Sequence, residues 1–571
     1  MEKVLLTVDG SWYTYVNGTG LVSKVNFDGS SVQNTFDELN RTEARKYTFG
    51  SNKSVFETMD YNRAGNRTDG KVMSHSFGGS YEFNYEYDQN GNITRISDDS
   101  GNLRNEYTYD ELGRLTSEIN IPKGSQSSKA VVGEKIEYFY SKDGNIYQRN
   151  FYKVQALQGK AYVDAKANRS DSFGYSNTEW SDQLSSARIN GNGFNFTYDK
   201  IGNPLSYRDG MVMSWQNGRQ LRSIKIDDAT TLEFTYDING QRQSKVEKKN
   251  GAAVHITKYY YDGTKLVGEN KDGTIVWYDY DENGTPVGMR LNGADYVFRR
   301  NLQDDITGIF DSTGTLVVEY TYGNSWGFGI TVSGSKATEI GTCNSLRYRG
   351  YYYDSETGLY YLNTRYYDPS LCRFVNADGY VSTGQGTQGY NMYSYCGFNP
   401  VNMVDPNGED PIPIWAKNIL YGDADEDDYL EALSCNPNAW AGSAGYIVRK
   451  AVNKANNYYN FIERTKGPRK DPRKGADTRR KTGARERNVA HPNGEEHSRV
   501  AKGNGRNIKR VSVTDVVANI GVLVVASIGI AVVCADDVTL IGIANDTAIA
   551  PLMKIIWDCT STIGEYCNSG G

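Results

Sequence analysis

One short unit recurs along most of this chain and limits what it can fold into. An aromatic residue is followed by aspartate, two or three further residues, then glycine and a polar residue. Full copies read Tyr87-Asp88-Gln89-Asn90-Gly91-Asn92, Tyr109-Asp110-Glu111-Leu112-Gly113-Arg114, Tyr198-Asp199-Lys200-Ile201-Gly202-Asn203, Tyr236-Asp237-Ile238-Asn239-Gly240-Gln241 and Tyr280-Asp281-Glu282-Asn283-Gly284. Looser copies stand at Tyr61, Tyr140, Tyr261, Phe310 and Tyr353. Self-similarity of this kind marks an array of supersecondary units, so a domain count from the length of 571 residues does not apply.

Each unit has the chemistry of a β-hairpin. Its flanks alternate, as in Glu82-Phe83-Asn84-Tyr85-Glu86-Tyr87, so one face is aromatic and the other polar. Aspartate can hydrogen-bond the turn backbone, and glycine supplies the positive φ of a tight connection. A lone hairpin cannot bury its aromatic face, so successive units must stack or coil into one long sheet. Composition agrees: 44 Tyr and 60 Gly against 13 Pro and 4 His exclude collagen-like or proline-rich chains. A net charge of −6 excludes a uniformly basic nucleic-acid binder. The 7 cysteines are odd in number and form no CxxC pair, so neither a zinc ribbon nor a disulfide framework is signalled. Residues Met1 to Tyr15 hold only the apolar run Val4–Leu6 before Asp9, which is not a secretory signal peptide.

A second, denser block follows. It runs through Leu346-Arg347-Tyr348-Arg349-Gly350-Tyr351-Tyr352-Tyr353-Asp354, Gly358-Leu359-Tyr360-Tyr361-Leu362-Asn363-Thr364-Arg365-Tyr366-Tyr367-Asp368-Pro369, Arg373-Phe374, Asn376-Ala377-Asp378, Asn391-Met392-Tyr393-Ser394-Tyr395, Asn399-Pro400-Val401-Asn402 and Asp405-Pro406-Asn407-Gly408. The repeat resembles the YD repeat of Rhs proteins, teneurins and toxin-complex cocoon subunits, and this block closely resembles the Rhs repeat-associated core. The resemblance implies a mainly β fold: a coiled antiparallel β-sheet shell over 1–340, finished by the core at 341–408. It also implies an exported or cell-surface protein, a variable toxin after the core and a cognate immunity protein. Some 340 residues are few for a closed shell, so the chain reads as a piece of a longer Rhs or wall-associated protein.

Some members of that family cut themselves just after the core with an aspartate pair, one carboxyl acting as base and the other as acid. The matching positions are Asp378 and Asp405. The chain departs from the pattern, with Gly379 rather than proline after Asp378 and Glu409 rather than a large apolar residue after Gly408. Both aspartates also suit plain turn capping.

Beyond Gly408 the hairpin pattern stops. Residues 409–463 read as a linker, Asp410-Pro411-Ile412-Pro413, and a helical segment whose acidic run Asp423–Asp428 suits a first turn. Residues 464–510 carry 16 Lys or Arg against 5 Asp or Glu. Such a block favours a polyanion, with Arg479, Arg480, Lys481, Arg485, Arg487 and Arg499 as candidate contacts. Its glycines and prolines equally suit a solvated linker. Within it, His491, Glu495, Glu496 and His497 could work on a phosphodiester. The spacing is not His-Glu-x-x-His, however, and the Pro492-Asn493-Gly494 turn explains the cluster as well. No metal or cofactor site is assigned.

The tail at 511–571 is apolar. Val516 to Ala535 are 20 residues without a charge, about 30 Å as a helix, enough to span a membrane through Val516, Leu523, Ile528 and Val533. The β-branched content equally suits a strand in the core of a soluble toxin. The tail as a whole is expected to be mostly α.

Two functions follow. The first is the carrier portion of a contact-dependent or secreted toxin, delivering an effector at 410–571 against the nucleic acid or membrane of competing cells. The second is a cell-surface adhesion protein that binds carbohydrate and is anchored by its tail.

Overall fold

The computed structural model describes residues 5–6, 12–16, 21–27, 29–38, 41–49, 53–61, 72–79, 81–379, 390–409, 411–414 and three strands at 524–542. The chain divides into two units, Met1–Tyr446 and Ile447–Gly571. In the first, seventeen described strands run from Leu5–Leu6 to Asn192–Asn195 and fourteen from Thr197–Tyr198 to Thr331–Ser333. Neighbours in sequence pair antiparallel. Strand Ile146–Leu157 differs, pairing Lys160–Val163 along one half and Arg169–Gly174 along the other. The two sheets, which together make up the ribbon, succeed each other at Phe196: Asn192–Asn195 pairs back to Ser186–Ile189, and Thr197–Tyr198 pairs forward to Pro204–Ser206.

The repeat has a physical core. At Asp110, Oδ1 accepts the N–H groups of Leu112 (3.0 Å) and Arg114 (2.9 Å), while Asp110 N–H donates to Arg114 O and Gly113 N–H donates to Asp110 O. The same four bonds recur at Asp88, Asp199, Asp237, Asp281 and Asp311. Gly113 sits at φ 76, where a side chain is disfavoured. The repeat tyrosine then fastens one unit to the one before it. Tyr109 Oη donates to the carbonyl of Ile93, the first residue after the Asp88 turn, at 2.6 Å. Tyr140 reaches Leu115 O (2.7 Å) and Tyr322 reaches Ile306 O (2.8 Å) in the same way.

The ribbon folds back on itself. Val32, Tyr47, Phe49, Val55 and Phe77 from its start pack on Val287, Val297 and Phe310 from its later part. Gly78 lies at φ 69, and a Cβ there would stand 2.5 Å from the Phe310 ring, so the closeness of this seam depends on glycine. Buried charge lines the seam as well. Glu57 accepts from Tyr47 Oη (2.5 Å), lies 3.0 Å from His75 Nε2 and faces Arg45 (3.5 Å) and Arg300 (3.6 Å). Burial works against its charge, but Arg300 and Arg45 hold its carboxyl far below the ordinary value.

The core block packs against the ribbon. Its strands Tyr352–Asp354, Leu359–Leu362, Arg365–Asp368 and Arg373–Phe374 form a four-stranded sheet. Tyr348, Tyr360, Tyr367 and Tyr395 pile together, with the Tyr367 and Tyr395 rings stacked at 4.0 Å. Three of these phenols donate to one loop: Tyr348 to Ser325 O, Tyr367 to Trp326 O and Tyr360 to Gly327 O. Ion pairs then join block to ribbon: Asp354 with Arg242 (2.6 Å) and Lys245 (2.8 Å), Asp368 with Arg208 (2.5 Å), and Arg349 with Asp305 (3.1 Å).

In the second unit, Val524–Ala526, Gly529–Cys534 and Asp537–Gly542 make a three-stranded antiparallel sheet. Of the two readings open for 516–535, a helix or a strand, the described residues 524–526 and 529–534 take the strand. Runs such as Val532-Val533 favour extended backbone. Among the described residues no helix is long and apolar enough to cross a membrane. The remainder of the expected helical tail lies outside the described residues.

Two measurements test this account. Tyr109→Phe strips Ile93 O and Asn402 Nδ2 of their partner phenol and should cost about 1–3 kcal/mol in denaturant unfolding; an unchanged midpoint would remove the tyrosine tie from the argument. At the seam, Glu282 is pushed up to about 7, first by burial and then by Asp281, against the pull of Arg45. A carboxyl raised in the folded state binds its proton more tightly there than in the unfolded chain. Its contribution to stability is therefore lost as pH rises from the ordinary 4.5 through about 7. Glu282→Gln should flatten the fall in the urea midpoint across that window, and an equally steep fall would show that another group governs it.

Candidate functional site

The core block brings two carboxylates onto one guanidinium. Arg365 opens the strand Arg365–Asp368, directly after a tight turn in which Asn363 has φ 60. Asp378 follows the strand Arg373–Phe374. That segment is held by Phe374 N–H to Tyr393 O (2.9 Å), Ala377 N–H to Gly202 O (3.3 Å) and Asp378 N–H to Met392 O (2.8 Å). The Gly202 of a repeat turn thus positions a core residue: a Cβ on it would stand 2.9 Å from Ala377 Cβ. Asp405 follows the short strand Met403–Val404, and its N–H donates to Tyr351 Oη at 3.0 Å.

Arg365 lies 3.0 Å from Asp378 Oδ2 and 3.5 Å from Asp405 Oδ2. Its Nε donates to Gly408 O, its Nη1 to Met392 O (3.3 Å), and its plane covers the Phe374 ring at 3.5 Å. All three charged groups are buried. On its other oxygen, Asp405 accepts the N–H groups of Gly408 (2.8 Å) and Glu409 (3.1 Å). Thr364 grips the next carbonyl upstream, donating to Asn407 O from Oγ1 (2.7 Å) and from its N–H (3.3 Å). Gly408 is at φ 79, with room for no Cβ beside Leu362 O at 2.6 Å. The guanidinium stands between two carboxylates whose burial without a partner would be costly. The guanidinium also polarises the Gly408 carbonyl where the repeat pattern ends, and Asp405 bonds the backbone on either side of it.

Asp378 and Asp405 were legible as candidates, and the structure places both against Arg365. Arg365 was not singled out: in sequence it is one arginine among tyrosines, and only tertiary pairing reveals what it joins. Equally unsignalled is the Arg242 cage, whose guanidinium lies 4.4–4.7 Å from the rings of Tyr259, Tyr352 and Tyr361. There, burial opposes the charge of Asp354, yet Arg242 and Lys245 hold its carboxyl below the ordinary value. His491, Glu495, Glu496 and His497 lie outside the described residues, as do Arg479, Arg480, Lys481, Arg485, Arg487, Arg499, Val516, Leu523 and Ile528. Val533 falls in the strand Gly529–Cys534.

Comparison with known proteins agrees with this architecture. Residues 85–126 match the RHS Repeat family model. The tRNA3(Ser)-specific nuclease WapA of Bacillus spizizenii is 27% identical over 415 residues, covering 67% of this chain and 17% of that protein. The double-stranded DNA deaminase toxin A of Burkholderia cenocepacia is 25% identical over 433 residues, 68% of this chain and 27% of that protein. The crystal structure of TcdB2-TccC3-Cdc42 superposes with a TM-score of 0.50 at 16% identity, covering 73% of this chain and 24% of that one. The chain therefore spans under a third of the length of each. The stitched repeat ribbon, the tyrosine-rich core block and these likenesses make the chain an Rhs/YD-repeat protein.

Proposed function

We propose that this chain is the carrier portion of a toxin, in which ribbon and core form a rigid casing and the residues after Gly408 are the passenger. The observation that carries the reading is the position of the Arg365 group. It stands at the junction where repeat and core sequence give way to an unrelated tail, and it holds the backbone of that junction. Relatives named as a tRNA nuclease and a DNA deaminase toxin support a nucleic-acid target for the passenger and, with it, an immunity partner and export from the producing cell.

The same group supports self-cleavage after the core. Arg365 withdraws charge from the Gly408 carbonyl, and the amide of Glu409 faces Asp405. With one proton shared between Asp378 and Asp405, one carboxyl activates water and the other protonates the departing amine. The purified chain should then run as two pieces, whereas Asp378→Asn and Arg365→Ala should run as one. Identical bands from all three would end the cleavage reading and leave the carrier reading standing.

A surface-binding role is favoured by one feature, the exposed pair Tyr260 and Trp277, whose rings lie 5.4 Å apart. Neighbouring residues Tyr259 and Tyr278 point the other way, toward the core block. Expression of residues 410–571 alone separates the two roles. Growth arrest with loss of RNA or DNA, relieved by His491→Ala or His497→Ala, is expected for a passenger nuclease; harmless accumulation would favour the surface role.

A further inference from the structure

Asparagine followed by glycine is the sequence at which a backbone amide most readily attacks a neighbouring side chain, because glycine offers no steric hindrance. The reaction needs the glycine N–H to lose its proton. In three repeat turns that N–H faces a group unable to accept one: Gly91, Gly240 and Gly284 donate to the backbone carbonyls of Asp88 (3.1 Å), Asp237 (3.1 Å) and Asp281 (3.0 Å). At Asn407-Gly408 the partner is different. Gly408 N–H donates to the carboxylate of Asp405 at 2.8 Å. The Asn407 side chain is held at both ends as well, its Oδ1 accepting from Glu409 N–H (3.2 Å) and its Nδ2 donating to Glu409 Oε2 (3.3 Å). Asn407 is half-buried, so water reaches it, while Asp405 is fully buried.

We infer that Asn407 is a self-modification site, at which the fold itself promotes conversion to aspartate and isoaspartate. Asp405 Oδ1 takes the proton from Gly408 N–H, and the freed electron pair forms a bond from that nitrogen to Asn407 Cγ. The charge that develops on Oδ1 is met by Glu409 N–H. The bond from Cγ to Nδ2 then breaks, and ammonia leaves with the proton returned by Asp405. Water opens the resulting five-membered imide at either carbonyl: its oxygen joins the carbon, the imide C–N bond breaks and the nitrogen is protonated. One water enters, one ammonia leaves, and nothing is oxidised or reduced. Opening toward isoaspartate inserts one methylene into the backbone between Asn407 Cα and Gly408. That shift pulls Gly408 O away from Arg365 and adds a third carboxylate beside Asp378 and Asp405. The inference does not depend on the carrier role or on self-cleavage, because Asn407 precedes any bond broken after Gly408.

The test follows the purified full-length chain at mildly alkaline pH by mass spectrometry of the peptide holding Asn407, with isoaspartate labelled by an isoaspartyl methyltransferase. A second sample is kept in urea, and the peptides with Asn90, Asn239 and Asn283 are read from the same digests. Asn407 in the native chain is expected to convert about a hundredfold or more faster than in urea and faster than the three turn asparagines, the low end of what a positioned base supplies. Asp405→Asn should bring the native rate down to the level of the turns. Asn407 converting no faster native than in urea would overturn the inference, and this wild-type comparison decides the matter even if Asp405→Asn does not fold.

Discussion

Everything in the first unit depends on a carboxylate that closes its own turn. The repeat aspartate takes two backbone N–H groups into one oxygen and gives its own backbone to the same five-residue loop. Side-chain bonds of this kind normally compete with regular structure; here they end each strand at a fixed residue and set the register of the next. Where a tyrosine precedes the aspartate, as at Tyr109, Tyr236 and Tyr280, it ties that turn to the segment before it. Hairpins that would be marginal alone are joined into a sheet, and most units also satisfy a carbonyl of the unit before them.

Seam and core use the opposite chemistry. Where the ribbon meets itself, and where the core block meets the ribbon, buried arginines face buried carboxylates and phenols. Such pairs contribute little net stability compared with apolar packing, but a mismatched pairing would leave a charge buried and alone. They fix which surfaces meet more than how strongly. Tyrosine suits both jobs, since its ring fills space while its phenol reaches a carbonyl, as Tyr348, Tyr360 and Tyr367 do on the Ser325–Gly327 loop.

Much of this was legible in the sequence because it is local. Alternation predicted the strands, and Asp with Gly at fixed spacing predicted the turns. Asp378 and Asp405 stood out as carboxylates in motifs that resemble a known core. The partners that give these residues meaning are distant: Arg365 stands 40 residues before Asp405, and Arg242 stands 112 before Asp354. No periodicity encodes such pairings, so neither the guanidinium at the junction nor the aromatic cage could be read ahead. The apolar run at 516–535 shows the converse, since its length suggested a helix while its β-branched residues already suited the strands found there.

The placement of the core block has a consequence for synthesis. Arg208, Arg242 and Lys245 leave the ribosome more than a hundred residues before the carboxylates that neutralise them, and Asp305 some forty before Arg349. Until then a nascent ribbon that closed would trap charge in its interior, so early closure is unfavourable and local turns form first. The core block therefore acts as a checkpoint on folding: the ribbon's Arg208, Arg242 and Lys245 find their carboxylates only once the chain as far as Asp368 has been made.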